Sequence, residues 1–399
     1  MVNDKMVNSF DLALQRNKYK HLSDDEWRWF LQQVEGRERT ADKLPTFAAT
    51  EGWWYPVRLS CEQCSSELAA RYKAEILTPY TLHHTSSTMV DLTGGYGVDT
   101  YFLSEVFEHT DYVEQNAELC RIAAHNFADK PITIHNTSAE EFLTKNQIVN
   151  RQSSNRQSEY DLIFLDPARR DSHGGKVFRL EDCTPNVVEL LPTLLAHGKR
   201  LMIKLSPMLD LTQAVKELSP ITNNLSPLRW DIYVVAIKNE VKELLLLSGG
   251  SGQITAIDLD KKDQAFVFTR EEESNSVANF KFQISNFKFI YEPSAAILKA
   301  GAYKLIAERF GLAKLDVNTH LYASEKLVEN FPGRVWQIKE TITSHRSPLT
   351  ITQANVLCRN YPLTPEQLKK KMHLRDGGTD FVIGCRIAGK PTLLWAERV

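Results

Sequence analysis

Between Ser87 and about Gly250, short apolar runs alternate with segments of helical spacing. Met89–Leu92, Tyr112–Gln115, Ile132–Asn136, Tyr160–Asp166, Leu201–Leu205, Ile232–Ile237 and Lys242–Leu247 read as seven strands. Alternation of this kind predicts an α/β domain with a mainly parallel sheet and helices on both faces. Asn150–Glu159 is polar and rich in Ser, Gln and Arg, so it reads as an exposed loop before the fourth strand. Upstream, to about Leu82, the pattern is helical, with Ser23 as a cap before Asp24-Asp25-Glu26 and a second helical period over Leu59–Lys73. Beyond Gly249-Gly250-Ser251-Gly252 it changes again. A hairpin (Gln253–Asp258 with Ala265–Arg270) precedes a helix opening at Glu292 and ending near Phe310-Gly311. Strands Val335–Thr341 and Ile351–Cys358, a helix Pro365–His373 and a hairpin Phe381–Ile387 with Thr392–Trp395 complete the chain. The expected organisation is a helical domain over 1–82, an α/β domain over 83–250, and small α+β regions over 251–330 and 331–399.

Composition narrows this picture. A chain of 399 residues exceeds one typical core. No apolar run is long enough to span a bilayer, and Met1-Val2-Asn3-Asp4-Lys5 lacks the apolar core of a signal peptide, so a cytoplasmic location is expected and no membrane partner. Cys61 and Cys64 form a lone Cys-x-x-Cys pair with no second pair or nearby His to complete a zinc spacing. They read as helix residues in a reducing compartment, and no metal is expected. Nor does any feature call for an obligate protein partner. The net charge of −2 hides an asymmetry: Phe331–Val399 holds eleven Lys or Arg against five Asp or Glu, which leaves the rest at −8. A basic terminal region beside an acidic body points to a polyanion, with a chance imbalance on a solvated surface as the alternative.

The densest chemistry lies in Met89-Val90-Asp91-Leu92-Thr93-Gly94-Gly95-Tyr96-Gly97-Val98-Asp99-Thr100. An apolar run ends in an acid, passes through close glycines and enters a helix, the pattern of a strand, a tight turn and a helix start. Its spacing differs from the Gly-x-Gly-x-x-Gly that a pyrophosphate requires. Asp91 at the strand end suits a ligand ammonium and the amides beyond Gly97 suit a carboxylate, groups combined in the methionine end of S-adenosylmethionine. Glu114 closes the second strand twenty residues after Gly94, where an acid hydrogen-bonds ribose hydroxyls; a helix-capping acid is the alternative. The fourth strand delivers Asp166-Pro167 to its carboxyl end, where Asp166 is a natural base or orienting group. Arg169, Arg170, Lys176 and Arg179 follow as a basic rim suited to phosphates.

These residues resemble class I S-adenosylmethionine-dependent methyltransferases, whose first motif is an acid followed by alternating glycines, with Thr93 standing here for the first glycine. The resemblance implies a Rossmann-like seven-stranded domain with the last strand antiparallel. It implies cofactor contacts from Asp91, Thr93, Gly95, Gly97, Glu114, Ser138, Asp166 and Pro167. Asn136 takes the place of the acid that usually precedes Ser138, which could equally cap a helix with Glu140. Asp166-Pro167-Ala168-Arg169 resembles the fourth motif of nucleic-acid methyltransferases, without its usual second proline and aromatic. The order Lys73, Asp166, Lys204, Glu243 resembles the tetrad of ribose 2′-O-methyltransferases, which implies catalytic roles for these four; Lys and Glu flanking strands for structural reasons are the alternative. No Cys stands at the fourth- or sixth-motif position, which disfavours methylation through a cysteine adduct. Asp166–Arg170, Val177–Asp182, Tyr291-Glu292-Pro293 and the basic end together resemble a bacterial group of methyltransferases with a ferredoxin-like segment and a THUMP-like C-terminal domain. That implies RNA, tRNA or rRNA, as substrate, with Lys369, Lys370 and Lys371 as further phosphate contacts. The expected activity is methyl transfer to a nitrogen or 2′-oxygen of structured RNA; the alternatives are a non-catalytic cofactor-binding RNA-recognition or assembly protein and a small-molecule methyltransferase.

Overall fold

Five of the expected strands lie side by side and parallel in a computed structural model that describes residues 13, 15–81, 86–150, 160–169, 179–218, 228–280, 286–342 and 351–399. The chain divides into two compact units, one of residues 1–228 and 246–249, the other of residues 229–245 and 250–399. Among the described residues, no helix is long and apolar enough to cross a membrane.

The first unit opens with α1 (Asp24–Thr40), whose capping box pairs Ser23 with Glu26, as the sequence predicts. Helices α2 (Pro45–Ala49), α3 (Arg58–Gln63) and α4 (Glu67–Thr81) follow. The single helical period over Leu59–Lys73 is thus two helices. Cys64 turns extended, and Ser66 restarts the helix by accepting from the Ala69 N–H at 3.3 Å. The same break frees Ser65 to donate to the Asp99 carboxylate at 2.7 Å.

The strands and helices then alternate: β1 (Thr88–Asp91), α5 (Val98–Leu103), β2 (His109–Glu114), α6 (Ala117–Asn126), β3 (Ile132–Asn136), α7 (Ala139–Asn150) and β4 (Leu162–Leu165). A two-strand ladder, β5 (Ala168–Arg169) with β6 (Cys183–Thr184), precedes α8 (Val187–His197), β7 (Leu201–Leu205) and α9 (Leu211–Leu218). The sheet order is β7-β4-β1-β2-β3. Leu162–Leu165 and Leu201–Ile203 are buried throughout, as parallel strands covered on both faces require. Register aligns the carboxyl ends: Asp91 stands opposite Phe164, Glu114 opposite Asn136, and Leu165 opposite Ile203. Asp91, Glu114, Asp166 and Lys204 therefore reach one edge.

The N-terminal helices share their core with this edge. Leu44, Phe47, Trp53, Tyr55 and Ala70 pack with Tyr96, Val98, Phe102, Tyr112 and Phe127. Phe47 stacks on Trp53 at 4.0 Å between ring centres, and Trp53 Nε1 donates to the Tyr96 hydroxyl at 3.0 Å.

The second unit carries β8 (Trp230–Ile237), β9 (Glu240–Ser248), β10 (Gln253–Asp258) and β11 (Phe266–Thr269), with β10 parallel to β8 and antiparallel to β11. The end of β9, from Leu246, belongs to the first unit, where Ser248 Oγ accepts from the Leu201 N–H at 2.7 Å. After α10 (Arg270–Asn275) come β12 (Phe289–Pro293), α11 (Ala295–Ala300) and α12 (Leu305–Arg309). Glu292 and Pro293, expected to open a helix, end β12 instead, and the helix expected from there to Phe310 is broken into these two. A hairpin not singled out by sequence, β13 (Ala313–Asp316) with β14 (Thr319–Ser324), precedes β15 (Gly333–Ile342), β16 (Asn355–Arg359), α13 (Pro365–Lys371), β17 (Asp380–Ile387) and β18 (Lys390–Arg398). These strands form a seven-stranded sheet in the order β13-β14-β12-β15-β18-β17-β16 around Ile290, Leu315, Leu321, Trp336, Ile383 and Leu394.

Glu292 ties this sheet together. It is buried on β12, and its carboxylate accepts from Arg334 on β15 and, at 2.5 Å, from Arg359 on β16. Removing it leaves two guanidiniums facing each other across a partly dry site. Glu292→Ala is expected to cost about 2 kcal/mol, with the guanidiniums' partial exposure limiting the loss. The urea midpoint of the full chain, followed by tryptophan fluorescence, reads that loss, whereas a midpoint unchanged within error would show the two pairs to be neutral.

Candidate active site

At the carboxyl edge of the first unit's sheet, the β1–α5 turn, the ends of β2, β3 and β4, and Ser65 with Lys204 enclose an open cleft of about 260 Å³. The glycines explain its shape. Gly97 has φ +81° and a Cβ there would lie 2.5 Å from the Phe127 ring, while a Cβ on Gly94 would lie 2.2 Å from the Tyr112 ring. Tyr112 in turn donates from its hydroxyl to Gly95 O at 2.6 Å. Aromatic packing beneath the loop thus holds bare backbone against the cleft.

Asp91 is buried at the head of this turn. Its carboxylate accepts from the Thr100 hydroxyl at 2.6 Å and from the Thr93 N–H at 2.9 Å. Desolvation outweighs those hydrogen bonds and, with the nearby Asp99 and Asp166 charges, pushes its pKa up to about 7. Thr93 contributes more than a small side chain in a glycine's place. Its hydroxyl accepts from the Asp166 N–H at 2.6 Å and lies 3.3 Å from the Asp91 carboxylate, joining the ends of β1 and β4. Glu114 accepts from the Gly95 N–H at 2.9 Å and the Asn116 N–H at 2.7 Å, so this acid braces the glycine turn from the neighbouring strand. Ser138 caps α7 through the Glu141 N–H at 3.2 Å, and Asn136 donates to Glu114 O and Gln115 O, both at 3.0 Å. The residue facing Ser138 in that cap is Glu141, not Glu140.

A chain of alternating charges lines the other wall. Asp166 Oδ2 lies 2.5 Å from Lys204 Nζ, which also donates to Ser65 Oγ at 3.0 Å and lies 3.4 Å from Asp99 Oδ2. Lys73, fully buried on α4, sits 3.1 Å from Asp99 Oδ1. Burial alone would raise the Asp99 carboxyl; the Lys73 and Lys204 ammoniums and the Ser65 hydroxyl bring it down to about 2. Asp99 and Ser65 were not singled out by sequence, although both fall inside stretches that were. The signal was present as an acid one turn from the glycines and a serine pair interrupting a helical period.

The structure brings Asp91, Thr93, Gly95, Gly97, Glu114, Ser138, Asp166 and Lys204 to one cleft, with Pro167 following Asp166 in the chain and Lys73 behind Asp99. Glu243 is buried on β9, in the part of that strand assigned to the second unit. Arg169 lies in β5, while Arg170 and Lys176 fall outside the described residues, as does most of Asn150–Glu159. Arg179 is exposed and paired with Glu181 at 2.7 Å. Lys369 of α13 pairs with Asp376 at 2.5 Å, and Lys370 and Lys371 are exposed. Cys61 lies in α3 and Cys64 at its end; burial pushes the Cys61 thiol up to about 12 and raises that of Cys64. Among the described residues, no cluster of His, Cys, Asp and Glu is arranged to hold a metal.

The two buried acids give opposite dependences of stability on pH. Asp91 holds its proton more tightly folded than unfolded, so its contribution is full below about pH 4 and is lost as pH rises towards 7. Asp99 contributes above about pH 4, and that contribution is lost as pH falls towards 2. Asp91→Asn is therefore expected to flatten the decline between pH 4 and 7 and leave the acid limb in place. Urea midpoints measured across that range would refute this if the variant declined in parallel with the wild type.

Comparison with known proteins completes the description. Residues 289–332 match the family described as a ferredoxin-like domain, and residues 333–398 match the one described as THUMP domain-like. An uncharacterised S-adenosylmethionine-dependent methyltransferase of Mycobacterium tuberculosis, in strains H37Rv and CDC 1551, is 23% identical over 376 residues, which span 91% of this chain and 94% of that protein. A crystal structure of a Porphyromonas gingivalis W83 protein assigned as a methyltransferase is 31% identical, covers 95% of this chain and 92% of its own, and superposes with a TM-score of 0.78. With the α/β fold, the glycine cleft and the two C-terminal matches in place, the chain belongs to the S-adenosylmethionine-dependent methyltransferases that carry a ferredoxin-like and a THUMP-like domain.

Proposed function

We propose that the chain transfers a methyl group to a nitrogen or a ribose 2′-oxygen of structured RNA, a tRNA or an rRNA. The observation that carries the reading is the Asp166–Lys204 pair, 2.5 Å apart on the wall of the same cleft as the glycine turn. An N–H or O–H acceptor must lose a proton during transfer, and a carboxylate beside an ammonium suits that task. The basic 331–399 segment and its THUMP-like match support an RNA acceptor.

The cleft fits S-adenosylmethionine in its donor set. Asp91 would hold the ligand ammonium, Glu114 the ribose hydroxyls and Ser138 the adenine end, with Thr93, Gly95 and Gly97 as the backbone wall and Pro167 beside Asp166 in the chain. When bound, the cofactor supplies an electrophilic methyl. The protein's part is positioning: Asp166 accepts the acceptor's proton, Lys204 orients Asp166, and Asp99 with Lys73 fixes Lys204 from behind. Arg169, Arg170, Lys176, Arg179 and Lys369–Lys371 are the proposed phosphate contacts.

Two measurements test this. Asp166→Ala is expected to reduce methyl transfer to RNA by roughly 10²- to 10⁴-fold while S-adenosylhomocysteine still binds; undiminished transfer would remove Asp166 from the chemistry. Mapping methylated nucleotides in RNA from a deletion strain identifies the acceptor, and an unchanged RNA map would favour a small-molecule substrate. The raised Asp91 gives a further test, of cofactor binding. A cation placed beside it favours the ionised form, so cofactor binding is expected to release a proton near pH 7 and to tighten as pH rises from 6 to about 8. Calorimetry in buffers of different ionisation enthalpy reads that proton, and Asp91→Asn should abolish its release.

A further inference from the structure

The second unit holds a cavity of about 370 Å³ remote in sequence from the glycine motif, lined by Lys238, Lys261, Arg334 and Arg398 with Asp258 and Asp260. Among the described residues, the two carboxylates form no ion pair with these cations and offset their charge only in part. Asp260 accepts from the Lys238 N–H at 2.5 Å, and Asp258 from the Asn239 N–H at 2.7 Å, so both are committed to one backbone turn. Arg334 is already matched by the buried Glu292. Lys238, Lys261 and Arg398 are exposed, and among the described residues none of their side chains has an ion-pair partner. Four cations against two carboxylates leave the lining with a net charge of +2, which a bound anion would offset.

The backbone is arranged to keep them there. Lys238 and Asn239 form the β8–β9 turn with φ +53° and +59°, a left-handed conformation in which a lysine is unusual. The two aspartates hold that turn, and Asn239 Oδ1 accepts from the Ala295 N–H at 2.8 Å at the start of α11. Lys238 is thus displayed from a turn braced on three sides. Arg334 and Arg398 come from the two ends of the THUMP-like match, on β15 and β18, where Trp336 pairs with Arg398. Residues two apart on one strand share a face with the residue opposite, which brings both arginines to the same rim. Pro332 is the one apolar side chain of the lining, so an apolar ligand gains little here.

We propose that this cavity binds a phosphate of the RNA backbone, as a docking point separate from the residues that line the catalytic cleft. It rests on the reading of RNA as substrate. Lys261, Lys238 and Arg398 make the charge contacts, and Arg334, held by Glu292, sets the wall. The contact carries no sequence information and fixes the position of the substrate.

The test uses the full chain, a mixed tRNA fraction, total ribosomal RNA and inorganic phosphate. Lys261→Ala/Arg398→Ala is expected to weaken RNA binding roughly ten- to sixty-fold at 0.1 M salt and to make the slope of log K against log salt shallower by about two, while S-adenosylhomocysteine affinity is unchanged. Lys238→Ala alone should remove about one unit of slope. The charge-conserving Lys261→Arg/Arg398→Lys should behave as wild type. RNA affinity and slope that survive the double alanine variant, with cofactor binding intact, overturn the site but not the RNA reading. A wild-type chain that binds S-adenosylhomocysteine yet neither RNA pool overturns both. Saturation by inorganic phosphate without RNA binding also overturns the proposal and makes the cavity a small-anion site.

Discussion

A carboxylate taken out of water must be compensated on the spot, and Asp99 is the place where this chain meets that demand. It lies at the start of α5, one turn beyond the glycines, and is almost wholly buried. Lys73 from the N-terminal helices and Lys204 from β7 flank it, and Ser65 donates to it from the break between α3 and α4. Three separate parts of the chain converge because each supplies a charge or hydrogen bond that would be expensive to bury alone. The geometry of Asp166, the proposed proton acceptor, follows from this. Lys204 meets Asp99 and Ser65 on its inner side and Asp166 on the cleft side.

The aromatic layer under the glycine turn plays the matching role on the apolar side. Tyr112 and Phe127 fill the space that side chains at positions 94 and 97 would occupy, and Trp53 reaches Tyr96 from the N-terminal segment. Dispersion and hydrogen bonding together fix a loop that has little regular structure of its own. The cleft is therefore preorganised by residues that do not line it as well as by those that do.

What the sequence made legible was local. Apolar runs located the five parallel strands of the first unit and, in the second, β8–β11 and β15–β18 but not β12–β14, and the acid-then-glycine spacing located the cleft, because both signals are written within a few consecutive residues. The capping box at Ser23 and the β10–β11 hairpin belong to the same class. What escaped was long-range. Ser65 meets Asp99 across 34 positions, and Lys204 meets it across 105, and no periodicity records such pairings. The helix over Leu59–Lys73 looked continuous because its apolar period survives the interruption, while the reason for the interruption lies in the partner of Ser65. Thr93 looked like a tolerated glycine replacement, yet its hydroxyl joins two strand ends, a role visible only once β1 and β4 are neighbours.

The shared core of the N-terminal helices and the glycine turn has a consequence for how the chain comes into being. Phe47, Trp53 and Tyr55 leave the ribosome well before Tyr112 and Phe127, the rings they must pack against. Tyr112 and Phe127 complete that core only late in the segment, and the acid that Lys73 meets stands 26 positions after it. The segment that buttresses the cleft thus precedes in the chain the residues that complete its core. Neither the helices nor the glycine turn has a complete core without the other.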